Sequence, residues 1–589
     1  MAPIPRPSSG ADGRAGSEEV ELYQRTYTTL LRSSGETRLR ILESSHKAMQ
    51  SSLHPLAESE ELDLGAFLYA TQRLPIAIAG ARVVIMGQEA ELFERAGIGP
   101  LREWPTVEAA ARRRRWFEGP EGTWAVLLAS ASDLDDLIPT LVAYQIEWNK
   151  LRRRLRGVGW PRTQGLPGAE ECARVLGGAA DDWTRLQEVW GTSYAERLGD
   201  VAERGLSLRV RMLGGSQVGY ARMTRRWWAP VREQLEREHL RDAPMYVVSS
   251  NTHSLVNLVS GDARAQEQEI AAWVEQEGPG DLQAELAMFR SGASQGSWEN
   301  FLYFAVKDFY AAGADDAGRR VAERDVGITH ISSRTALRVA AQVLPLARLD
   351  PARFDARLGA VDRDRLAASD AVIVNVDYPL GVAAYNILRE VTQDRDTLRG
   401  VYVLGKAATL NADVGDVMLS NVVFDEHSQT TYWLDNAFAI EDITPYLRFG
   451  SGLDNQRAVT VKSTFLQNRG YLDRYYREAY TVVEMEAGPY CNAIYELTDP
   501  DRYPEGEQVN FSKLPVDFGI MHYASDTPYT QARTLGARGL SYYGMDSTYA
   551  ASIAILRRIL RHEGALVPQT APSAEHTSGA RYDGVEEIR

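Results

Sequence analysis

Val482-Val483-Glu484-Met485-Glu486-Ala487 and, further along, Phe518-Gly519-Ile520-Met521-His522-Tyr523-Ala524-Ser525-Asp526-Thr527-Pro528 read as two apolar strands that deliver acidic residues at their C-terminal ends. Open α/β sheets bind their ligands at that edge. Upstream, Ala371-Val372-Ile373-Val374-Asn375-Val376 is a near-continuous apolar run of the kind buried in a parallel sheet. It passes through Asp377-Tyr378-Pro379-Leu380-Gly381 into a helical pattern. Gly400-Val401-Tyr402-Val403-Leu404 ends likewise in Gly405-Lys406-Ala407-Ala408-Thr409. With the runs at 245–248 and 326–331, these segments predict strands alternating with helices, an α/β fold with a mixed sheet flanked by helices over residues 242–566.

The first half is expected to hold a smaller α/β lobe at 20–165. Its strand signals are the apolar runs at 81–87 and 124–128, the second running into the cap cluster Ser130-Ala131-Ser132-Asp133 of a helix through Lys150. Residues 166–241 carry a helical period and read as a connector, with Trp227 and Trp228 packed between lobes. Residues 265–325 read as a helical insertion whose stripe Trp298, Phe301, Phe304 and Phe309 is a core face. Ser332-Ser333-Arg334-Thr335 is expected to open a helix. The arginine runs at 112–115 and 151–156 are expected to be solvated helix faces. Residues 1–19 and 567–589 are expected to be loose tails.

Bulk properties narrow the function. At 589 residues the chain is long enough for two or three domains. Its 44% hydrophobic and 25% charged content fits a soluble globular protein. A formal charge of −15 argues against a nucleic-acid partner held by broad phosphate neutralisation. Cys172 and Cys491 alone exclude a disulfide framework and a multi-cysteine metal site. The apolar run 74–86 is interrupted by Arg82 and is too short to span a bilayer, and the first residues lack an apolar signal core; no membrane partner and a cytoplasmic location are expected. Asp425-Glu426-His427 reads as a polar loop rather than a metal site, and no dinucleotide fingerprint or P-loop is present, so no metal or cofactor is expected.

Four segments, IVNVDYPLGVAAYNIL, VLGKAATLNADVGDVMLSNVVFDEHSQ, VVEMEAG and HYASDTP, stand in the order that resembles the purine nucleoside phosphorylase and nucleosidase superfamily. The likeness is greatest to the catalytic domain of AMP nucleosidase and covers about residues 365–560. It implies a nucleoside-phosphorylase-like sheet, cleavage of the N-glycosidic bond of a purine nucleoside or nucleotide, and a homo-oligomer. Breaking that bond leaves an oxocarbenium-like sugar and an electron-rich base, so the site needs an acid for the base and acceptors for the sugar hydroxyls. By the resemblance, Asp526 beside Ser525 is the general acid, acting at purine N7, and Glu486 accepts the ribose hydroxyls. Met485 packs under the sugar with Glu484 alongside, and Phe465 in TVKSTFLQ matches an aromatic stacked on the base.

The nucleophile stays open. The superfamily's Gly-x-Gly turn is replaced by 377–381, Lys406 stands where a small residue or a His is usual, and His522 stands where an Arg is frequent. Related nucleosidases place a water-activating carboxylate after the first strand, where Ser249-Ser250-Asn251-Thr252-His253-Ser254 offers His253; Asp377 is an alternative base. Lys406, Arg334 and the Ser249/Ser250 turn are candidates for a phosphate, free or as a 5′ group. A phosphate-dependent phosphorylase and a non-catalytic nucleotide-binding protein on the same fold are the alternatives to hydrolysis. An assembly role for the first half, separable from the chemistry, is a third reading.

Overall fold

The structure, a computed structural model, describes residues 13–33, 35–159, 168–393, 397–529 and 542–567. Its strands form two sheets. The first holds β1 (Thr37–Arg38), β2 (Val83–Gly87), β3 (Thr106–Ala109), β4 (Arg112–Glu118), β5 (Thr123–Leu127) and β6 (Arg209–Leu213), in the order β1-β6-β2-β5-β4-β3. The second holds β7 (Met245–Ser250), β8 (Thr329–Ile331), β9 (Ala341–Pro345), β10 (Val372–Asp377), β11 (Leu398–Thr409), β12 (Val417–Asp425), β13 (Thr430–Leu434), β14 (Gly452–Thr460), β15 (Val482–Glu484), β16 (Gln508–Phe511) and β17 (Asp517–Asp526). Their order is β16-β13-β12-β14-β15-β11-β7-β10-β9-β8, and β17 pairs with both β11 and β12. The fold is therefore a mixed, helix-flanked α/β sheet preceded by a smaller α/β lobe.

The apolar runs form the centre of the large sheet. β7 and β10 pair in parallel from Val372 opposite Met245 to Asp377 opposite Ser250. Val247, Val248, Ile373 and Val374 are fully buried. Each such side chain contributes roughly 1.5–3 kcal/mol of burial. Asn375 sits in this apolar setting because its amide is satisfied: it donates to Asn251 O and Gln342 Oε1, both at 2.8 Å, and accepts from Ser250 Oγ at 2.8 Å. Further along, β11 and β17 are parallel, β17 and β12 antiparallel, β12 and β14 parallel, β14 and β15 parallel, and β15 and β11 antiparallel. Those five strands close on one another, which brings the ends of β15 and β17 to the same stretch of β11.

The lobes share a core. The helix Gln217–Arg237, capped by Ser216 through Gly219 N at 3.1 Å, buries Trp227 and Trp228 in one cluster with Val83 and Ile85 of the small sheet and Val247 and Val374 of the large one. The Trp227 indole donates to Val339 O at 2.7 Å. The insertion is helical, with helices Glu267–Glu277, Gly280–Ser291, Trp298–Ala311 and Asp316–Asp325. Phe301 is its buried anchor, while Trp298, Phe304 and Phe309 are half-buried around it.

Several local expectations are corrected. The arginines 112–115 lie on strand β4, not on a helix, because the run continues into buried Trp116 and Phe117, which pair with Val126 and Ala125 of β5. Arg209–Leu213, inside the stretch expected to be a helical connector, is a strand of the small sheet, held in parallel against β2 with Val210 buried opposite Val84. No helix follows Arg334. Residues 332–340 turn the chain back so that β9 pairs antiparallel with β8. A helix, Gly13–Ser33, begins inside the stretch expected to be a loose tail, and the i, i+4, i+8 series Tyr23, Tyr27 and Leu31 buries its inner face. Residues 1–12 and the tail from 568 lie outside the described residues. Among the described residues, no helix is long and apolar enough to cross a membrane.

Candidate active site

Strand β15 ends at Glu484, and the helix Ala487–Thr498 begins three residues later. Met485 and Glu486 form the turn between them, which frees consecutive side chains from strict alternation. Glu484 is buried and spends its acceptors on this turn: Oε2 takes the amides of Glu486 at 2.6 Å and Ala487 at 2.7 Å, and Oε1 accepts from the Thr460 hydroxyl. A side chain so used positions the helix start rather than a ligand. Burial, followed by the neighbouring Glu486, raises its pKa to about 8. Glu486 is half-buried and accepts Gly381 N–H at 3.2 Å. Burial raises its pKa to about 7. It keeps acceptor capacity for a ligand.

Strand β17 supplies the second acid. Its pairing with β11 runs regularly to Ala524 opposite Ala407, then skips Ser525 and resumes with Asp526 opposite Ala408. This one-residue bulge puts Asp526 on the side of Ala408, and both Ser525 and Asp526 reach one cavity. Ser525 Oγ donates to Ala407 O at 3.3 Å and ties the bulge down.

Glu484, Met485, Glu486, Lys406, Ser525 and Asp526 all line a single cavity of about 350 Å³. The two carboxylates distant in sequence, Glu486 and Asp526, thus share one chamber. Lys406 is open to this cavity, with Asp526 and Glu486 and also Arg73 and Arg112 within electrostatic reach; the surrounding protein depresses its pKa below the ordinary lysine value.

Other sequence candidates stand elsewhere. Phe465 is fully buried in a small core with Leu53, Ala66, Tyr69 and Ala143, off the cavity wall. Asp377 forms an ion pair with Arg113 of β4 and lies outside the lining. The same arginine reaches Tyr378 O at 2.7 Å. His253 faces Tyr549, with Nδ1 3.3 Å from its hydroxyl, and burial lowers its pKa to about 4. Arg334 is exposed, and its carbonyl accepts from Arg115 at 3.2 Å.

The small lobe builds the opposite wall, through Tyr69, Arg73, Arg112 and Arg114. The first half, read from sequence as separable from the chemistry, thus contributes side chains to the lining of this cavity. Alternation on β4 turns Arg112 and Arg114 toward the helix Ala131–Gly157. Arg112 makes a two-pronged bond to Asp136 at 3.0 and 2.9 Å. Arg114 bonds Asp133 at 2.8 Å and Asp136 at 2.7 Å. Between two guanidinium groups, the Asp136 carboxyl is held far below the usual carboxylate range despite its burial. The sequence carried part of a signal for this wall: an arginine run continuing into apolar Trp116 and Phe117, and aspartates three apart on one helix face, with nothing local to join the two. Among the described residues, no group of three or more His, Cys, Asp and Glu side chains is placed to hold a metal ion.

Comparison with known proteins adds the following. No curated protein matches the sequence. Among solved structures, the S-adenosylhomocysteine nucleosidase of Streptococcus pyogenes aligns at 9% identity over 54% of this chain and 97% of its own, with a TM-score of 0.29. The 5′-methylthioadenosine/S-adenosylhomocysteine nucleosidase of Colwellia psychrerythraea, solved with adenine, aligns at 12% identity over 39% of this chain and 85% of its own, with a TM-score of 0.26. Uridine phosphorylase of Schistosoma mansoni aligns at 11% identity over 56% of this chain and 91% of its own, with a TM-score of 0.28. These likenesses are partial, and the chemistry of the site rests on the residues of this chain. A family profile matches residues 39–561, most of the sequence, and the chain belongs to that family, DUF6909, described as a family of unknown function.

Proposed function

We propose that the cavity hydrolyses the N-glycosidic bond of a purine nucleoside or nucleotide. The observation that carries this reading is the convergence of Glu486 and Asp526 on one chamber from two strand ends. Glu486, with most of its lone-pair sites uncommitted, accepts the vicinal hydroxyls of the ribose. Met485 lines the same wall and packs under the sugar. Asp526 donates a proton to N7 as the bond from C1′ to N9 breaks and its electron pair leaves with the base. Water then adds to the oxocarbenium carbon, and its proton passes to Glu486, whose pKa of about 7 suits it to that transfer. Asp377 is occupied by Arg113 and has no place in this step.

The test is direct. The full-length protein is incubated with AMP, adenosine and related purine nucleosides and nucleotides, with and without phosphate, and free base is measured. Base release without phosphate is expected, with D526N losing about 10²–10⁴-fold in rate. Unchanged turnover in D526N, or no base from any member of the panel, sinks the proposal. Base release that requires phosphate makes the enzyme a phosphorylase instead.

A further inference from the structure

Arg73 is the last residue of the helix Leu64–Arg73 and is only 3% exposed, yet it lines the cavity. Its Nη1 donates to Tyr69 O at 3.1 Å, as an arginine at a helix C-terminus often does. Its guanidinium lies 3.3 Å from the Tyr69 ring centre. Its Nε has no hydrogen-bond partner among the described residues, and neither has the hydroxyl of fully buried Tyr69. No carboxylate among the described residues forms an ion pair with Arg73, whereas Arg112, Arg113 and Arg114 all have one. Buried polar groups are almost always paired; the phenol and guanidinium lie close enough for Tyr69 to raise the Arg73 pKa, yet Arg73 Nε and the Tyr69 hydroxyl make no hydrogen bond of ordinary geometry, which leaves both able to take a ligand atom from the cavity. Lys406 faces the same space, again with no ion pair among the described residues.

We infer that Arg73, Tyr69 and Lys406 form an oxyanion subsite that takes a phosphoryl group, so that the small lobe reads the charged end of the ligand while the sheet works on its glycosidic bond. This deepens the proposed hydrolase reading and rests on it for the identity of the rest of the ligand. A phosphoryl group matches the donors: a planar guanidinium, a hydroxyl and an ammonium surround a tetrahedral oxyanion that each can bond. Burial, with Arg112 adding to it, lowers the Arg73 pKa to about 10, and a bound anion relieves that cost; at Lys406 burial, Arg73 and Arg112 work against the opposing pull of Asp526 and Glu486. The cavity volume is at the small end of ligand pockets and suits one nucleotide-sized molecule. The phosphoryl group arrives either esterified to the sugar or as free phosphate.

Calorimetry on the full-length protein separates these cases, using AMP, adenosine and inorganic phosphate as probes; D526N is present throughout so that the probes are not turned over, with residues 73 and 406 as in the wild type or changed in R73M, R73K and K406M. AMP is expected to bind at least about tenfold more tightly than adenosine, from charge-assisted bonds. That ratio should collapse toward one in R73M and in K406M and be partly restored in R73K. K406M alters a solvent-reachable side chain, so it remains informative if R73M fails to fold. If free phosphate binds with residues 73 and 406 unchanged and loses affinity in R73M and K406M while AMP shows no preference over adenosine, the subsite is for the free anion. If phosphate binds in this Arg73-dependent way but neither purine ligand binds, the anion subsite stands and the nucleosidase reading fails. Equal binding of AMP and adenosine with no phosphate binding, or an AMP preference untouched by both K406M and R73M, overturns the inference.

Discussion

Glu484 offers a sharp test of how the acidic turn is built. Its carboxyl is buried, and its pKa lies near 8 instead of the ordinary 4.5, chiefly through desolvation and then through Glu486. A carboxyl raised on folding stabilises fully below the unfolded value, and that stability is lost as pH rises through the folded value. At 1.36 kcal/mol per pH unit, the loss between acid pH and pH 8.5 is on the order of 4 kcal/mol. E484Q keeps the shape and removes the titration. Its amide oxygen can accept the Glu486 and Ala487 amides, and its NH₂ can donate to Thr460 Oγ1, which also accepts Gly488 N–H at 2.8 Å. With an unfolding entropy of about 2.1 cal/mol/K per residue, 4 kcal/mol in a chain of this length moves the thermal midpoint by about 3 K. Differential scanning calorimetry at a fixed scan rate should therefore find wild type and E484Q alike near pH 5, with E484Q about 3 K higher at pH 8.5. Parallel curves across that range refute the reasoning. They would mean that the ionised carboxylate is compensated by its two amides and by the His522 Nε2 that lies 3.8 Å from it.

Other expectations follow from single residues. With the Glu486 pKa at about 7 and its carboxylate form needed for the sugar, ligand affinity should fall about tenfold per pH unit below pH 7, and the E486Q profile should be flat over the same range in titration calorimetry. F465A should cost about 3–5 kcal/mol of stability, read from the denaturant midpoint, because Phe465 is fully buried against Tyr69 and the His46–His54 pair. A tenfold rise in KM with unchanged stability would instead place that ring on the ligand. D136N leaves Arg112 and Arg114 facing a neutral side chain at a buried position and should cost about 3–5 kcal/mol, visible as a lowered thermal midpoint.

The large sheet was legible because it is written in runs: residues 371–376, save Asn375, and 245–248 are apolar on both faces and admit little besides a central strand. The acidic turn was legible for a related reason, since carboxylates gather where strands stop. The small lobe resisted because its strands are short and charged. Arg209–Leu213 alternates arginines with apolar residues, Arg112–Glu118 opens on four arginines in a row, and Arg112 and Arg114 of β4 are bonded by aspartates from a helix that no local pattern links to them. The meeting of Arg73 with Lys406 is likewise a product of tertiary packing. Phe465 shows the converse hazard: an aromatic at a suggestive place in the order of motifs turned out to belong to a core.

The irregularity at Ser525 gives the acid its address. Were strand β17 to pair straight through, Ser525 would stand opposite Ala408 and Asp526 opposite Thr409, on the reverse side of the sheet. Excising Ser525 would leave Asp526 where it is, whereas adding a residue between Ala524 and Ser525 would test how much slack the kink can absorb. The carboxylate's placement is thus a matter of counting as well as chemistry: one unpaired residue separates the last regular pair from the acid, and the pairing resumes around it.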